Sequence, residues 1–334
     1  MKFDFFIGID VSKNELDYSV VQAGVELFHL KTANSLDGIR EFVKKFKLKG
    51  GKLANTLFCM EHTGFYNNHL LEYLTKKKAA ICQESPVHIK KSSGLQRGKN
   101  DRVDAFRIAL YAYKNKEGLR LWQPKREAIQ RLKYLTTLRN RTINALKQLK
   151  TSLKEECGFI DSRIYNGASK LNNASIRALE NDLKKIEKEI AHLIKEDKEL
   201  KKIFDLVVSV EGIGVVTATS IMIATNEFKD ITEAKKFACY AGVAPFEHSS
   251  GSSIRGRTRV SKMANKTIKS LLHMAALSCI TRKGELRDYF ERKVSEGKNK
   301  MSVINAIRNK LIQRIFACIK QNRKYEKNYI KSLA

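Results

Sequence analysis

Four carboxylates in the first third of the sequence stand where strands are predicted to end or a helix to begin. Asp10 closes the apolar run FFIGID, and Glu61 closes a second such run, TLFCME. In a pleated strand Gly8 shares a face with Asp10, which leaves room for a backbone or a ligand to approach closely. Asp101 and Asp104 follow in KNDRVDAFRIALYA, and residues three apart on a helix face the same side. The pattern predicts that the four acidic side chains converge.

Converging carboxylates are suited to phosphodiester cleavage assisted by metal ions. Two divalent ions about 3.5–4 Å apart can bind the attacking and the leaving oxygen, and hard ions such as Mg²⁺ prefer carboxylate ligands. Taken singly, each acid is more often a cap or a surface carboxylate, and Asp101 has the position of a helix cap. Taken together, the four predict a site for Mg²⁺ or Mn²⁺, because clustered carboxylates repel one another without a cation.

The net charge of the chain indicates a polyanionic partner. Among 334 residues, 64 are Lys or Arg and 35 are Asp or Glu, which gives a formal net charge of +29. Basic surfaces bind nucleic acids because neutralising phosphates releases condensed counterions. A generally basic surface of the ribosomal type is the alternative, and net charge does not separate DNA from RNA as the partner.

The cysteines and the first residues favour a soluble protein of the cytoplasm. The six cysteines are scattered through apolar runs without a C-x-x-C pair, which is typical of reduced core thiols and not of a disulfide framework or a zinc site. The opening MKFDFFIGID reads as a strand and not as a signal peptide. Because no uncharged apolar stretch approaches the roughly 18 residues of a membrane span, we expect no membrane partner.

The hydrophobic pattern predicts three regions. Residues 1–120 are expected to form an α/β domain with a mixed sheet, whose first three strands form an antiparallel meander before a helix crosses over. Residues 121–203 are expected to be helical, and residues 204–334 mostly helical around the glycine-containing turn in VEGIGVVTATSIM. The strands of the first region are predicted at 5–9, 16–21, 25–30, 56–60 and 79–82.

An apolar seam marks the middle region. Its members step by four and three residues, as in a coiled coil, with Lys and Glu beside them. An antiparallel helical hairpin, half of an intermolecular coiled coil and an ordinary helical bundle all fit this pattern. The seam consists of Leu179, Leu183, Ile186, Ile190 and Leu193.

A loop rich in serine, glycine and basic residues is predicted in the last third, at HSSGSSIRGRTR. On its residues alone, such a loop most often contacts phosphates. An exposed serine in it can also attack a phosphorus atom and form a phosphoserine link, with arginines stabilising charge on the phosphoryl oxygens. The candidate nucleic-acid-binding residues are Arg255, Arg257, Arg259 and Lys262.

Three separated segments resemble one protein family. FIGIDVSKNELD, MEHTGFY and GKNDRVDA are similar to the Asp-Glu-Asp-Asp (DEDD) signature of the insertion-sequence transposases that include the Piv-type DNA invertases, known as bridge-RNA-guided recombinases. The resemblance implies an N-terminal domain of RNase H-like fold, like that of the Holliday-junction resolvase RuvC. It assigns Asp10, Glu61, Asp101 and Asp104 as the catalytic metal ligands.

The last third of the chain resembles the same family. SVEGIGVVTATSIM looks like its helix-hairpin-helix-like segment, and FACYAGVAPFEHSSGSSIRGRTRVSKMANKTIKSLL looks like its transposase domain, in which a serine just before a glycine is the nucleophile. That serine is Ser250, before Gly251, and its neighbour Ser249 is the other candidate on the residues alone. The resemblance also implies that the carboxylates, of the same or another subunit, activate the serine.

These features together predict a DNA transposase or site-specific recombinase that acts on donor and target DNA, and the resemblance implies guidance by a non-coding RNA. Strand exchange joins at least two duplexes, so we expect a dimer or tetramer, with the apolar seam as a candidate contact. Three alternatives are a metal-dependent Holliday-junction endonuclease that uses only the acids, a DNA invertase, and an architectural protein that binds nucleic acid.

Overall fold

A computed structural model describes residues 3–92, 100–250, 254–261 and 263–326, with the backbone alone described at 248–250, 254, 255 and 257. The chain divides into two units, Met1–Pro124 and Lys125–Ala334. No helix among these residues is long and apolar enough to cross a membrane.

The first unit is a mixed five-stranded sheet with helices on both faces, as the sequence predicts. The strands lie in the order β3-β2-β1-β4-β5, with β1, β2 and β3 antiparallel and β1, β4 and β5 parallel. The strands are β1 (Phe5–Val11), β2 (Glu15–Gln22), β3 (Val25–Ala33), β4 (Thr56–Glu61) and β5 (Ala80–Glu84). The helices are α1 (Leu36–Leu48), α2 (Asn68–Lys76), α3 (Pro86–Ser92) and α4 (Asp101–Lys114), with 3₁₀ turns at Leu53–Asn55 and Gly64–Asn67.

Alternation along β1 separates the two faces of the sheet. Ile7 and Ile9 are fully buried on the face that α1 covers, where Tyr18 of β2 stacks on Phe42 of α1 with ring centroids 3.8 Å apart. Phe6 is buried on the opposite face, against α4. Asp10 belongs to the α4 face because residues two apart in a strand point the same way.

Helix α4 lies unusually close to the sheet because Gly8 has no side chain. A Cβ atom built at Gly8 would overlap the carbonyl oxygen of Ala105 and the amide nitrogen of Ala109. Ala105, Ile108 and Ala109 are all buried on this face of α4. The space that the sequence predicts at Gly8 is therefore filled by a helix backbone.

The second unit begins with a long helical hairpin, α5 (Glu127–Glu156) and α6 (Ser162–Glu196). Ile186, Ile190 and Leu193 of the seam are buried in one cluster with Ile129 and Leu132 of α5. Ion pairs join the two helices along their length, from Arg131–Glu189 through Arg139–Glu187 to Lys150–Glu180. Of the three arrangements that fit the sequence, the antiparallel hairpin within one chain is the one formed. This part of the seam is thus packed inside the chain, so the subunit contact suggested for it is wrong there.

The rest of the second unit is helical, with one two-stranded hairpin. Its core surrounds α12, whose Ile307, Leu311 and Ile315 are fully buried. Strands β6 and β7 form where the sequence predicts a loop, and the pattern of Thr258 and Val260 in IRGRTRV explains why, since β-branched residues favour strands. The elements are α7 (Lys198–Val208), α8 (Val215–Thr225), α9 (Ala234–Tyr240), β6 (Pro245–Ser250), β7 (Ile254–Val260), α10 (Lys266–Thr281), α11 (Glu285–Ser295) and α12 (Lys300–Gln321).

The turn between α7 and α8 is held by close packing at Gly212. Its φ of +80° lies in the left-handed region that favours glycine, and a Cβ atom there would overlap the Sγ atom of Cys279. Gly214 precedes α8 at its N-cap and has open space around it. In the Gly-Ile-Gly sequence, Gly212 is therefore closely packed and Gly214 is accessible.

Candidate active site

Two of the four predicted acids lie side by side at one edge of the sheet. In the parallel pairing of β1 with β4, Ile9 is opposite Met60, so Asp10 and Glu61 are the next residues on neighbouring strands. The carboxyl ends of parallel strands meet at the same edge, which is where α/β sheets present functional groups. Asp10 and Glu61 are both partly buried there.

The start of α4 brings the other two acids to this edge. The helix begins at Asp101, and its N-cap is Asn100, whose side-chain oxygen accepts a hydrogen bond from the Val103 amide at 2.8 Å. Asn100 therefore fills the capping role that the sequence allowed for Asp101. Both Asp101 and Asp104 lie in the first helical turn, where the helix dipole stabilises negative charge.

The pKa of Asp10 shows that the other three acids lie near it. Its pKa is raised from 3.8 to about 6, first by burial and then by the negative charges of Asp101, Asp104 and Glu61. Negative charges raise the pKa of a carboxyl only when they lie within electrostatic range of it. The structure thus brings together the four residues that the sequence singles out, from three separate elements.

A fifth carboxylate, Asp17, was missed by the sequence analysis. It lies opposite Asp10 in the antiparallel pairing of β1 with β2 and also raises the pKa of Asp10. Its buried side chain is bonded to Nε2 of His29 at 2.9 Å. The meander predicted for these strands could have placed Asp17 beside Asp10, had the register been worked through.

A basic residue on α4 partly offsets the acidic charge. Nη1 of Arg107 lies 2.9 Å from Oδ1 of Asp104, one helical turn away, and both side chains are largely shielded from solvent. Among the described residues, no three Asp, Glu, His or Cys side chains are grouped closely enough to hold a metal ion as they stand. The four acids are gathered within electrostatic range, but not at the distances of a shared ligand set.

The donor chemistry of the cluster nevertheless fits a hard divalent cation. Its side chains offer only carboxylate oxygens, the ligands that Mg²⁺ and Mn²⁺ prefer. Burial and mutual repulsion make the ionised form of Asp10 unfavourable, as its raised pKa shows. A bound cation would relieve both costs, since it adds positive charge to that of Arg107.

The next strand end carries a further acid that sequence analysis did not consider. Glu84 lies opposite Glu61 in the pairing of β4 with β5. Its carboxylate accepts hydrogen bonds from the Tyr111 hydroxyl of α4 at 3.1 Å and from the Ser85 amide at 2.8 Å, and it contacts His88 at 2.9 Å. These bonds tie β5 to α4, and Glu84 borders a cavity of about 460 Å³.

The serine predicted as nucleophile lies at the tip of the β6–β7 hairpin. Ser250 is the last residue of β6 and pairs with Ile254, while Ser249 pairs with Arg255. The side chains of Ser249, Ser250, Arg255 and Arg257 are outside the described residues, as is the whole of Lys262. Arg259, opposite Phe246 in the hairpin, is exposed.

Comparisons with known proteins match two stretches of the chain to family models. Residues 7–156 match a family model for DEDD transposases of the IS110 type, described as a transposase. Residues 205–291 match a second model, described as a transposase of the IS116/IS110/IS902 family. Both models thus describe transposases, and the first is of the DEDD class. The chain belongs to the IS110 family of insertion-sequence transposases.

Two relatives are similar over almost the whole chain. The pilin gene-inverting proteins of Moraxella bovis and Moraxella lacunata are each 27% identical to it over 326 residues, covering 96% of this chain and 98% of theirs. An uncharacterised 43.6 kDa protein of insertion element IS110 from Streptomyces coelicolor is 26% identical over 46% of this chain and 36% of its own length. The relatives thus include proteins named for gene inversion as well as a protein of an insertion element.

Proposed function

We propose that this protein is a DNA transposase that cuts and rejoins DNA through a covalent link between Ser250 and a DNA phosphate. Asp10, Glu61, Asp101 and Asp104 hold Mg²⁺ or Mn²⁺ for this reaction. The observation that carries the proposal is the convergence of these four acids: burial, and then the negative charges of the other three, raise the pKa of Asp10 to about 6. A cluster of acidic residues is unusual in a chain of net charge +29, and we infer from this that the cluster has a function.

In this proposal the three regions have separate roles. Residues 1–120 form a RuvC-like domain with the acidic cluster, residues 121–203 form the helical hairpin, and residues 204–334 carry the nucleophile and the helix-hairpin-helix-like turn. The family resemblance and the mixed sheet support a RuvC-like assignment for the first region.

The chemical step is an exchange of phosphoester bonds. The Ser250 hydroxyl oxygen attacks a DNA phosphorus, the bond from that phosphorus to one deoxyribose oxygen breaks, and the leaving oxygen takes up a proton. A divalent cation, when bound, would offset charge on the phosphoryl oxygens. The carboxylates hold that cation, and one of them accepts the serine proton. Arg255, Arg257 and Arg259, at every second position of β7, neutralise phosphates near the cut.

The reverse exchange, with the oxygen of another strand, rejoins the DNA and releases the serine. No energy-rich cofactor is needed, because one phosphoester bond replaces another at each step. Since two duplexes must be held at once, the active form is a dimer or tetramer. A structured non-coding RNA acts as guide, and the large positive charge is consistent with carrying RNA and DNA together.

The test is a pair of variants at adjacent serines, Ser250→Ala and Ser249→Ala. In a strand-exchange assay with a donor and a target DNA, Ser250→Ala should abolish product while DNA binding is retained, and Ser249→Ala should keep activity. Denaturing gels of the wild type should show a protein–DNA adduct that Ser250→Ala lacks. Equal activity of both variants would remove the serine step from the proposal.

A second function, inversion of a DNA segment, is favoured by the relatives named as pilin gene-inverting proteins. Both reactions use the same bond exchange and differ in the arrangement of the sites. A plasmid with two sites in opposed orientation distinguishes them, because inversion gives a reversed segment and transposition gives an excised or inserted one. DNA cleavage that survives Ser250→Ala would instead indicate a Holliday-junction endonuclease that uses only the acids.

The RNA partner has its own test. RNA extracted from the purified protein should include one discrete species, transcribed from the DNA that flanks the gene. Recombination in a purified system should require that RNA, and a scrambled RNA of the same length is the control. Full activity of RNA-free protein would exclude the guide.

A further inference from the structure

A buried arginine in the second unit has no acidic partner within the part of the chain that the structure describes. Arg308 of α12 is only 6% exposed, and burial lowers the pKa of its guanidinium. Its described contacts are Nδ1 of His273 at 2.5 Å and the side-chain oxygen of Asn305 at 3.4 Å, which are both neutral acceptors. Its Nε atom is buried without a hydrogen-bond partner among the described residues. A guanidinium can donate five hydrogen bonds, so most of this capacity is unused.

The contact with Arg308 fixes the protonation of His273. A guanidinium only donates, so Nδ1 of His273 must accept, and the ring proton of the neutral imidazole lies on Nε2. Burial, and then the positive charge of Arg308, lower the pKa of His273. His273 is partly exposed and carries its ring proton on Nε2, next to the permanent positive charge of Arg308.

Arg308 and His273 lie near the start of the β6–β7 hairpin, which carries Ser250. We call residues 242–245, just before and at the start of β6, the hairpin root. Asn305 donates from its side-chain nitrogen to the Val243 carbonyl at 2.9 Å, and the Lys269 side chain lies against Gly242. Lys269 and His273 are one turn apart on α10, so both face the same side of this helix. The stem of Lys269 therefore lies against the root, on the same side of α10 as His273.

A buried charge without a counter-ion is costly, and proteins usually pair such a charge with an acid. Here the described hydrogen bonds and ion pairs give Arg308 and His273 no carboxylate partner. An anion from outside the described residues is the partner that this charge lacks. Two nitrogen donors and a nearby ammonium match the oxygens of a phosphate group.

We propose that Arg308, His273 and Lys269 bind one phosphate of a nucleic-acid backbone beside the hairpin root. The source of that phosphate rests on the proposed function, since β6 leads directly from the root to Ser250. The bound phosphate belongs to the DNA that Ser250 cuts, a few nucleotides from the cut. It holds the strand in place, and none of the three residues takes part in bond exchange.

The first experiment compares two arginines of the same helix in thermal unfolding. Arg308→Met removes the arginine without a carboxylate, and Arg314→Met removes one that is paired with Glu285 at 2.6 Å. If Arg308 binds an anion, Arg308→Met should be as stable as the wild type in chloride, or more stable, because a methionine carries no buried charge. A clear loss of stability would instead give Arg308 a structural role and overturn the proposal.

The same samples then receive inorganic phosphate at constant ionic strength. The melting temperature of the wild type and of Arg314→Met should rise with phosphate, and the rise should be absent in Arg308→Met. An equal rise in all three would show a general salt effect and no site. Because this measurement needs neither cleavage nor Ser250, its failure would leave the proposed recombination untouched.

The last arm identifies the source of the phosphate. A short DNA duplex and a single-stranded RNA are titrated at several salt concentrations. His273→Gln and Arg308→Met should each weaken DNA binding about tenfold and reduce the salt slope by about one ion, as expected for the loss of one phosphate contact. Arg314→Met should match the wild type. Unchanged DNA affinity together with a response to free phosphate would contradict a contact with DNA.

Discussion

The Cα atom of Gly8 in β1 faces the backbone of Ala105 in α4 so closely that one added methyl group would overlap it. Ala105 directly follows Asp104, and Gly8 lies two residues before Asp10. The close approach of helix and strand therefore sets the distance between two parts of the acidic cluster. A strand with a side chain at position 8 would push the start of α4, and with it Asp101 and Asp104, away from Asp10.

The first prediction concerns this contact. Gly8→Ala should destabilise the protein by about 1–3 kcal/mol, as inserted methyl groups do in packed cores, and should lower activity more than its stability loss explains. Chemical unfolding and strand-exchange rates at a temperature where the variant stays folded separate the two effects. Gly167→Ala in α6 is the control: the space around Gly167 is open, and alanine in a helix interior should gain about 0.5–1 kcal/mol.

The second prediction concerns the acids and their cation. In chelator, Asp10→Asn should be at least as stable as the wild type, because the raised pKa of Asp10 shows that its ionised form is disfavoured. Mg²⁺ should raise the melting temperature of the wild type and not that of Asp10→Asn. Asp37→Asn, at an exposed acid paired with Arg40, should respond to Mg²⁺ as the wild type does. A wild type that is indifferent to Mg²⁺ and Mn²⁺ would argue against a metal site.

The third prediction concerns the helical hairpin. Ile190 is 5% exposed within the contact between α5 and α6, so Ile190→Ala should cost about 2–5 kcal/mol. Leu171→Ala, at a side chain that is 83% exposed, should change stability by no more than about 0.5 kcal/mol. Urea unfolding followed by circular dichroism measures both. If the seam joined two chains and not two helices of one chain, the cost of Ile190→Ala would fall on dilution to the monomer, and we expect the same cost at every protein concentration.

Local patterns were enough to predict the acidic cluster and the sheet. Asp10 and Glu61 each end an apolar run, and Asp101 and Asp104 share a helix face, so their positions depend on short-range periodicity. Family resemblance then joined the three motifs. The pairing of Glu84 with Tyr111 could not be foreseen in this way, because it depends on how α4 lies across β5.

Long-range contacts and short strands were the parts that the sequence did not disclose. Glycines and serines in HSSGSSIRGRTR predict a loop, but parts of β6 and β7 form within this segment because the two strands pair with each other. The sequence also left three arrangements for the apolar seam. Periodicity shows that a helix face is buried, but it does not show which helix covers that face. The sequence also did not predict ion pairs between residues far apart in the chain, such as Arg126 and Glu227.

The fourth prediction concerns that pair. The guanidinium of Arg126, at the N-cap of α5, binds Glu227 at 2.6 Å and Asp197 at 2.8 Å, and the Glu227 side chain is fully buried. Arg126→Met should cost about 3 kcal/mol at pH 7, the lower end for a broken buried pair, because Lys229 still lies 3.3 Å from Glu227. Arg131→Met, at an exposed pair with Glu189, should cost less than about 1 kcal/mol.

The pH dependence of that loss has a definite sign. Arg126 holds the pKa of Asp197 below its ordinary value of 3.8, so the carboxylate binds protons less readily in the folded protein than in the unfolded one. The stability that Asp197 contributes is therefore fully present above pH 3.8 and is lost as the pH falls through the lowered pKa. Unfolding free energies of the wild type and of Arg126→Met should run parallel above about pH 5 and approach each other below pH 3.8, because the ion pair is lost in acid. A gap that stays constant down to pH 2 would mean that the arginine stabilises the protein through packing alone.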